Sequence, residues 1–228
     1  MDTAHTGPQD PRLIGALAAD DSSTRLQAAL AAGTHPDPEL VEDLVARCAV
    51  ESDFFVRDML TWALTRLPAA LTVPRLLTEL RSERAQARSQ ALHTLSKIGD
   101  EAAWPAITRS LLRDRDEEVA RSAWRAAVAL VPEGREQGLA EELAALLGRG
   151  DRETRLSLSR ALVALGEEAV EPVLRAAATS EEPDVRAHAN ATERLLHDPD
   201  AGFDLAVDEA KRFVALGGGP EAEQRADR

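Results

Sequence analysis

A short period runs through this chain and restricts what it can fold into more than any other feature. Six arginines, Arg25, Arg57, Arg88, Arg121, Arg155 and Arg186, each open a run rich in alanine and leucine. The steps between them, by subtraction, are 32, 31, 33, 34 and 31 residues. A step of that length accommodates one helical hairpin, repeated along the chain. Eleven residues beyond each arginine stand Pro36, Pro68, Gly99, Pro132, Gly166 and His197. All but the last are residues that end helices, because proline lacks a backbone donor and glycine tolerates left-handed geometry. Seventeen residues beyond come Glu42, Pro74, Pro105, Gly138, Pro172 and Phe203. Proline suits the first turn of a helix, so this column predicts the start of each second helix. Two positions on, Leu44, Leu76, Ile107, Ala140, Leu174 and Leu205 supply that helix with an apolar contact.

These signals predict helices over 11–19, 24–32, 39–50, 53–67, 73–80, 83–98, 101–112, 116–131, 135–147, 152–165, 168–178, 184–196 and 203–216. Stacked hairpins spread their core along one axis, so the expectation is one elongated all-α domain over residues 10–216. Residues 1–9 read as a loose polar leader, and 217–228, Gly-rich and charged, as a disordered tail. Position seven after the arginine is Ala32, Leu64, Leu95, Val128 and Leu162, then Glu193. An end repeat has no neighbour to cover it, so Asn190, Thr192 and Glu193, with the helix around Phe203, Leu205 and Phe213, read as a terminal cap.

Within the repeats, Asp53-Phe-Phe-Val-Arg57, Asp116-Glu-Glu-Val-Ala-Arg121, Asp151-Arg-Glu-Thr-Arg155 and Asp184-Val-Arg186 share one pattern, each followed by small and aliphatic residues at helical spacing. It resembles the HEAT repeat family, most closely the bacterial HEAT-like repeats also found in phycobilisome lyases, and covers about residues 11–216. The third copy departs, since no aspartate precedes Arg88 at that spacing. The resemblance implies an α-solenoid of about six HEAT-like hairpins whose first helices line a concave face. It implies no single activity, because such folds carry many jobs.

Charge narrows the partners. The chain has 27 basic and 40 acidic residues, net −13, which argues against a phosphate-backbone binder. The acid is concentrated late: residues 51–130 hold 12 basic and 11 acidic side chains, and 131–228 hold 12 and 21. A single cysteine, Cys48, gives neither a disulfide framework nor metal-ligand spacing, and reads as a small buried apolar group. The absence of a signal-like start and of any membrane-length apolar run leads to an expectation of a cytoplasmic protein without membrane attachment.

On the first helices, positions three, seven and ten after each arginine form the expected core at about 100° per residue. Positions one, five and nine fall opposite. They read Leu26 and Leu30; Asp58, Trp62 and Arg66; Ser89, His93 and Lys97; Ser122, Ala126 and Leu130; Leu156, Arg160 and Ala164; Ala187, Ala191 and Leu195. Asp58, Trp62, Arg66, His93, Lys97 and Arg160 are therefore the candidate partner-binding residues. Trp62 is either an interface anchor or the cover of a seam between hairpins. The six repeat arginines read as a structural ladder, in which Asp53, Asp151 or Asp184 caps a helix and pairs with an arginine of its own or the adjacent copy. Trp104 and Trp124 read as packing residues.

No zinc spacing, P-loop, nucleophile elbow or His-Glu pair occurs, so neither catalysis nor a cofactor is expected. The favoured expectation is a non-enzymatic scaffold that holds a protein or peptide. Two enzymatic alternatives follow from HEAT-like relatives: a DNA glycosylase, supported by the three tryptophans in the near-neutral middle, and a bilin lyase.

Overall fold

The computed structural model describes residues 11–198. The expected leader 1–9, the helix 203–216 and the tail 217–228 lie outside the described residues. Among those described, all regular structure is helical. Contacts divide the chain into two compact units, Met1–Leu143 and Ala144–Arg228, where the repeat predicts a single continuous domain.

In the first unit the hairpins run α1 (Pro11–Leu17), α2 (Ser22–Thr34), α3 (Val41–Cys48), α4 (Phe54–Thr65), α5 (Ala69–Glu79), α6 (Ala85–Ile98), α7 (Arg109–Leu112), α8 (Glu117–Leu130) and α9 (Glu136–Ala144). Helices α2, α4, α6 and α8 pack each on the next in one layer, and α1, α3, α5 and α7 cover that layer from one side. The layer is rich in alanine where helices meet: Ala28, Ala29, Ala32, Ala63, Ala87, Ala91, Ala123 and Ala127 are buried. Small side chains let the axes approach, while Leu44, Leu60, Leu64, Leu76, Leu92 and Leu95 fill the space between the layers. Each such leucine removed from water contributes about 2 kcal/mol.

Local chemistry starts these helices. Asp53 accepts the amides of Phe55 and Val56, and Asp116 those of Glu118 and Val119. Each cap stabilises its helix by about 1 kcal/mol. At α6, the copy that lacks the aspartate, Arg84 stands at the cap and makes no side-chain capping bond.

Proline does not mark every second-helix start. Pro74 sits inside α5 and Pro172 inside α11 (Glu167–Ala177). Each is the sixth residue of its helix, so each removes one intrahelical bond. Where Pro105 falls, the helix expected over 101–112 breaks into a 3₁₀ segment, Glu101–Ala106, followed by the single turn of α7.

The second unit contains α10 (Arg152–Val163), α11 and α12 (Pro183–His197). Helices α10 and α12 pair, and α11 packs on both. Glu193 is exposed. Thr192 instead is fully buried, because its hydroxyl meets Ser159 Oγ at 2.7 Å and donates to His188 O. Hydroxyl pairs of this kind recur at the same sequence separation in the first unit: Thr61 with Thr94, and Ser89 with Ser122.

Candidate functional site

The repeat arginines point into the turns before their own helices. Arg25, Arg57, Arg88 and Arg186 each donate Nη1 to the two carbonyls six and five residues earlier: Ala19 and Asp20, Glu51 and Ser52, Ser82 and Glu83, Ser180 and Glu181. Arg155 does the same work through Gly150 O and Gly148 O. The carboxylate partners Glu51, Asp114, Glu118 and Asp184 are not capping aspartates; Asp184, expected to cap, lies in the first turn of α12, whose N-cap Glu182 makes no side-chain capping bond. Arg25 grips Glu51 with two bonds of 2.7 and 2.8 Å, and Arg88 grips Asp114 with two of 3.0 Å. Arg121 pairs with Glu118 in its own first turn, while Arg155 reaches Asp184 at 3.6 Å.

Glu51 and Asp114 each stand two residues before a capping aspartate and also accept its amide. One carboxylate thus ties the arginine of one copy to the helix start of the next. Glu51 is buried and additionally receives Arg47. Burial pushes its pKa up, but the bonds from Arg25, the Asp53 amide and Arg47 outweigh this and hold it down at about 2.

On the uncovered side of the first unit, an open groove of about 600 Å³ runs over the N-terminal halves of α4, α6 and α8. Ser89 and Ser122, their hydroxyls 3.1 Å apart, close its floor between α6 and α8. Gln86 and Gln90 rise from α6, and Gln86 is held by donating to Cys48 O and Glu51 O. Across the groove Arg125 donates to Ser122 Oγ and contacts Glu118. His93 lies half-buried on the wall. Burial, then Lys97 and Arg125, lower its pKa against the opposing pull of Asp58 and Glu118, which favours the neutral ring near pH 7.

The groove opens beside an aromatic pair. Phe54 and Phe55 are 65% and 69% exposed, packed edge to face with centroids 5.6 Å apart, and Phe54 forms part of the groove lining. Val50, just before them, is 48% exposed. Rings presented to water in this way, next to polar groups, mark contact surfaces.

Of the six residues chosen from sequence, the groove brings together Asp58 and His93. Arg66 and Lys97 are exposed at the C-terminal ends of α4 and α6, away from its lining. Arg160 is exposed on α10 in the second unit. Trp62, 38% exposed, lies over Gly33 of α2: a Cβ there would come within 2.1 Å of the indole. The ring therefore fills the seam between α2 and α4 and leaves an edge to solvent. None of the tryptophans lines the groove. Trp124 is buried and donates its indole N–H to Leu112 O at 2.8 Å, and Trp104 is half-buried. Ser89, Ser122, Ala126 and Leu130, expected on the outward face, are buried instead. Among the described residues, no cluster of three histidines, cysteines or carboxylates is placed to hold a metal ion.

Tandem helical hairpins, the first helix of each packing on the first helix of the next, build both units. The fold of the described residues is all-α, a succession of packed helical hairpins. No protein-family profile matches the chain, and no curated protein does. Among solved structures it is similar to an engineered protein (18% identity, 79% of this chain and 95% of that one, TM-score 0.45). It is also similar to the CpcE–CpcF complex of phycocyanin lyase from Nostoc sp. PCC7120 (19% identity, 86% and 80%, TM-score 0.48). A third is a designed armadillo repeat protein in complex with the peptide (KR)4 (16% identity, 82% and 98%, TM-score 0.46). The lyase and peptide complexes describe those proteins and carry nothing over to this one.

Proposed function

We propose that this chain is a non-enzymatic binding scaffold, and that the groove over α4, α6 and α8 with its Phe54–Phe55 rim holds a segment of a partner protein. The supporting observation is the juxtaposition of a polar trough with two exposed aromatic rings. Gln90 offers an amide to the backbone of an extended peptide above a floor closed by the buried Ser89–Ser122 pair, while the rings supply apolar area at small entropic cost. Asp58, Glu118, Arg57 and Arg125 put both signs of charge on the walls, a pattern suited to a polypeptide and poorly suited to a polyphosphate. No helix among the described residues is long and apolar enough to cross a membrane.

The test is affinity capture from the native host with wild type beside the Phe54→Ser/Phe55→Ser double variant and Trp62→Ala. A partner retained by wild type and lost from the double variant supports the reading. Equal recovery by both would remove this face from consideration.

A further inference from the structure

One repeat arginine keeps an open edge on its guanidinium. We propose that this edge, on Arg57 in the wall of the α4–α6–α8 groove, binds the carboxylate of an acidic side chain in the partner segment, an assignment that rests on the groove being a peptide site. The other copies show what such an edge holds. Arg25 and Arg88, like Arg57, anchor Nη1 on two carbonyls of the preceding turn. Their Nε and Nη2 then grip Glu51 and Asp114, two bonds to each. Each of these carboxylates stands two residues before a helix N-cap, Asp53 or Asp116, and accepts its amide. After Arg57 the corresponding position, two residues before the N-cap Arg84, is Ser82. Its hydroxyl takes the Arg84 amide at 3.3 Å and brings no charge. Among the described residues nothing bonds Nε or Nη2 of Arg57, and neither nitrogen is enclosed. Arg155 meets the same replacement, Ser180 before the N-cap Glu182, and Asp184 at 3.6 Å makes up for it. Arg186 belongs to the last described copy, so no described hairpin follows it.

The groove decides what reaches that edge. Arg57 lines it three residues from Phe54, and so on the same face of α4 as the exposed ring. An acidic residue with an apolar neighbour in an extended segment would meet both. Nε and Nη2 present two parallel N–H donors, the geometry that matches a carboxylate. Because Glu51 O and Ser52 O already hold Nη1, the guanidinium is fixed before binding and little ordering cost is left. The remaining charges of the lining sharpen the choice. Asp116 is engaged as the cap of α8, and Glu118 pairs with Arg125. Asp58 is exposed in the same groove with no hydrogen bond or ion pair among the described residues. Its negative charge penalises a doubly charged phosphate more than a singly charged carboxylate.

The test is an NMR titration of the full-length, nitrogen-15-labelled chain. The probe is a blocked pentapeptide with a central glutamate between phenylalanine and leucine, beside the same peptide with glutamine. Binding is read from the Arg57 Nε–Hε resonance and the backbone amides of α6 along the groove. Saturable shifts are expected with the glutamate peptide, at least tenfold weaker with glutamine. Arg57→Lys, which keeps the charge but loses the paired donors, should weaken binding at least tenfold. Ser82→Glu, which supplies the carboxylate from within the chain, should do the same, whereas the neutral Ser82→Gln should leave binding unchanged. Four results would overturn the proposal: no saturable shift, equal binding of the glutamine peptide, wild-type binding by Arg57→Lys or by Ser82→Glu, or tighter binding when phosphoserine replaces the glutamate. Should Phe54→Ser/Phe55→Ser abolish binding while Arg57→Lys and Ser82→Glu do not, the peptide groove stands and the carboxylate contact falls. Should none of the three variants matter, both fall.

Discussion

Each unit contains a buried titratable group, and the two are satisfied by opposite chemistry. In the first unit Glu51 is ionised and satisfied by Arg25, Arg47 and a backbone amide. In the second, His188 is neutral: Nδ1 accepts the Gly148 N–H at 3.0 Å, so Nε2 carries the proton and lies 2.9 Å from Arg155 O and 3.1 Å from Ser159 Oγ. The same hairpin repeat is thus closed once by charge and once by a neutral hydrogen-bond network, and the two closures fail under different conditions.

The sharpest break is Glu51→Ala. It strands Arg25, itself buried, without its carboxylate and removes the acceptor for Arg47 and the Asp53 amide. Breaking a buried pair from one side costs about 3 kcal/mol or more, and chemical denaturation should register that loss. Gly148→Ala comes next. Gly148 has φ +82°, and an added Cβ would meet Val185 N at 3.0 Å, so left-handed strain and crowding together cost about 2 kcal/mol. Its effect should appear in hydrogen exchange of α10 and α12.

Acid separates the two closures. His188 has a folded pKa below its ordinary 6.5, chiefly through burial. Its contribution is therefore complete above 6.5 and declines as pH falls through that value toward the folded one. Glu51 has a folded pKa of about 2 against an ordinary 4.5, so its contribution is complete above 4.5 and is lost only as pH falls toward 2. Between pH 7 and 5, protection of amides from exchange, relative to their intrinsic rates, should fall in α10 and α12 before it does so in α2 and α4. Simultaneous loss of protection would contradict the assignment of the neutral network to His188.

How far the sequence foretold this varies with the range of the interaction. The period, the caps Asp53, Asp116 and Asp151 and the uncapped third copy were legible because each is set within a few residues, whereas Asp184 falls inside the first turn of α12 and does not cap it. The outward face was legible only in part, since Ser89, Ser122, Ala126 and Leu130 at the same repeat positions are buried. A rotation of 100° per residue told Asp58 and His93 from the core, yet it does not say which half of a helix its neighbours leave open. Counting forward from the arginines led to Arg66 and Lys97, whereas the groove runs back to Phe54 and Gln86. The carboxylates facing the arginines did leave a signal, an acid two residues before the capping aspartate in Glu51-Ser-Asp53 and Asp114-Arg-Asp116. The match of Gly33 to the Trp62 ring left none, since nothing local links residues in different hairpins.

The smallest expected effect on folding separates contact from architecture most cleanly. Phe54 and Phe55 are more than half exposed and bonded only through their backbones to the Asp53 cap and the helix, so replacing both by serine should change stability by no more than about 0.5 kcal/mol. If the rings anchor a partner, the same change should cost at least tenfold in affinity, because exposed aromatic anchors concentrate binding energy while contributing little to the core. Thermal melts and partner titrations on one preparation measure both. A large drop in melting temperature would mean that the rings cover the start of α4 rather than serve a partner.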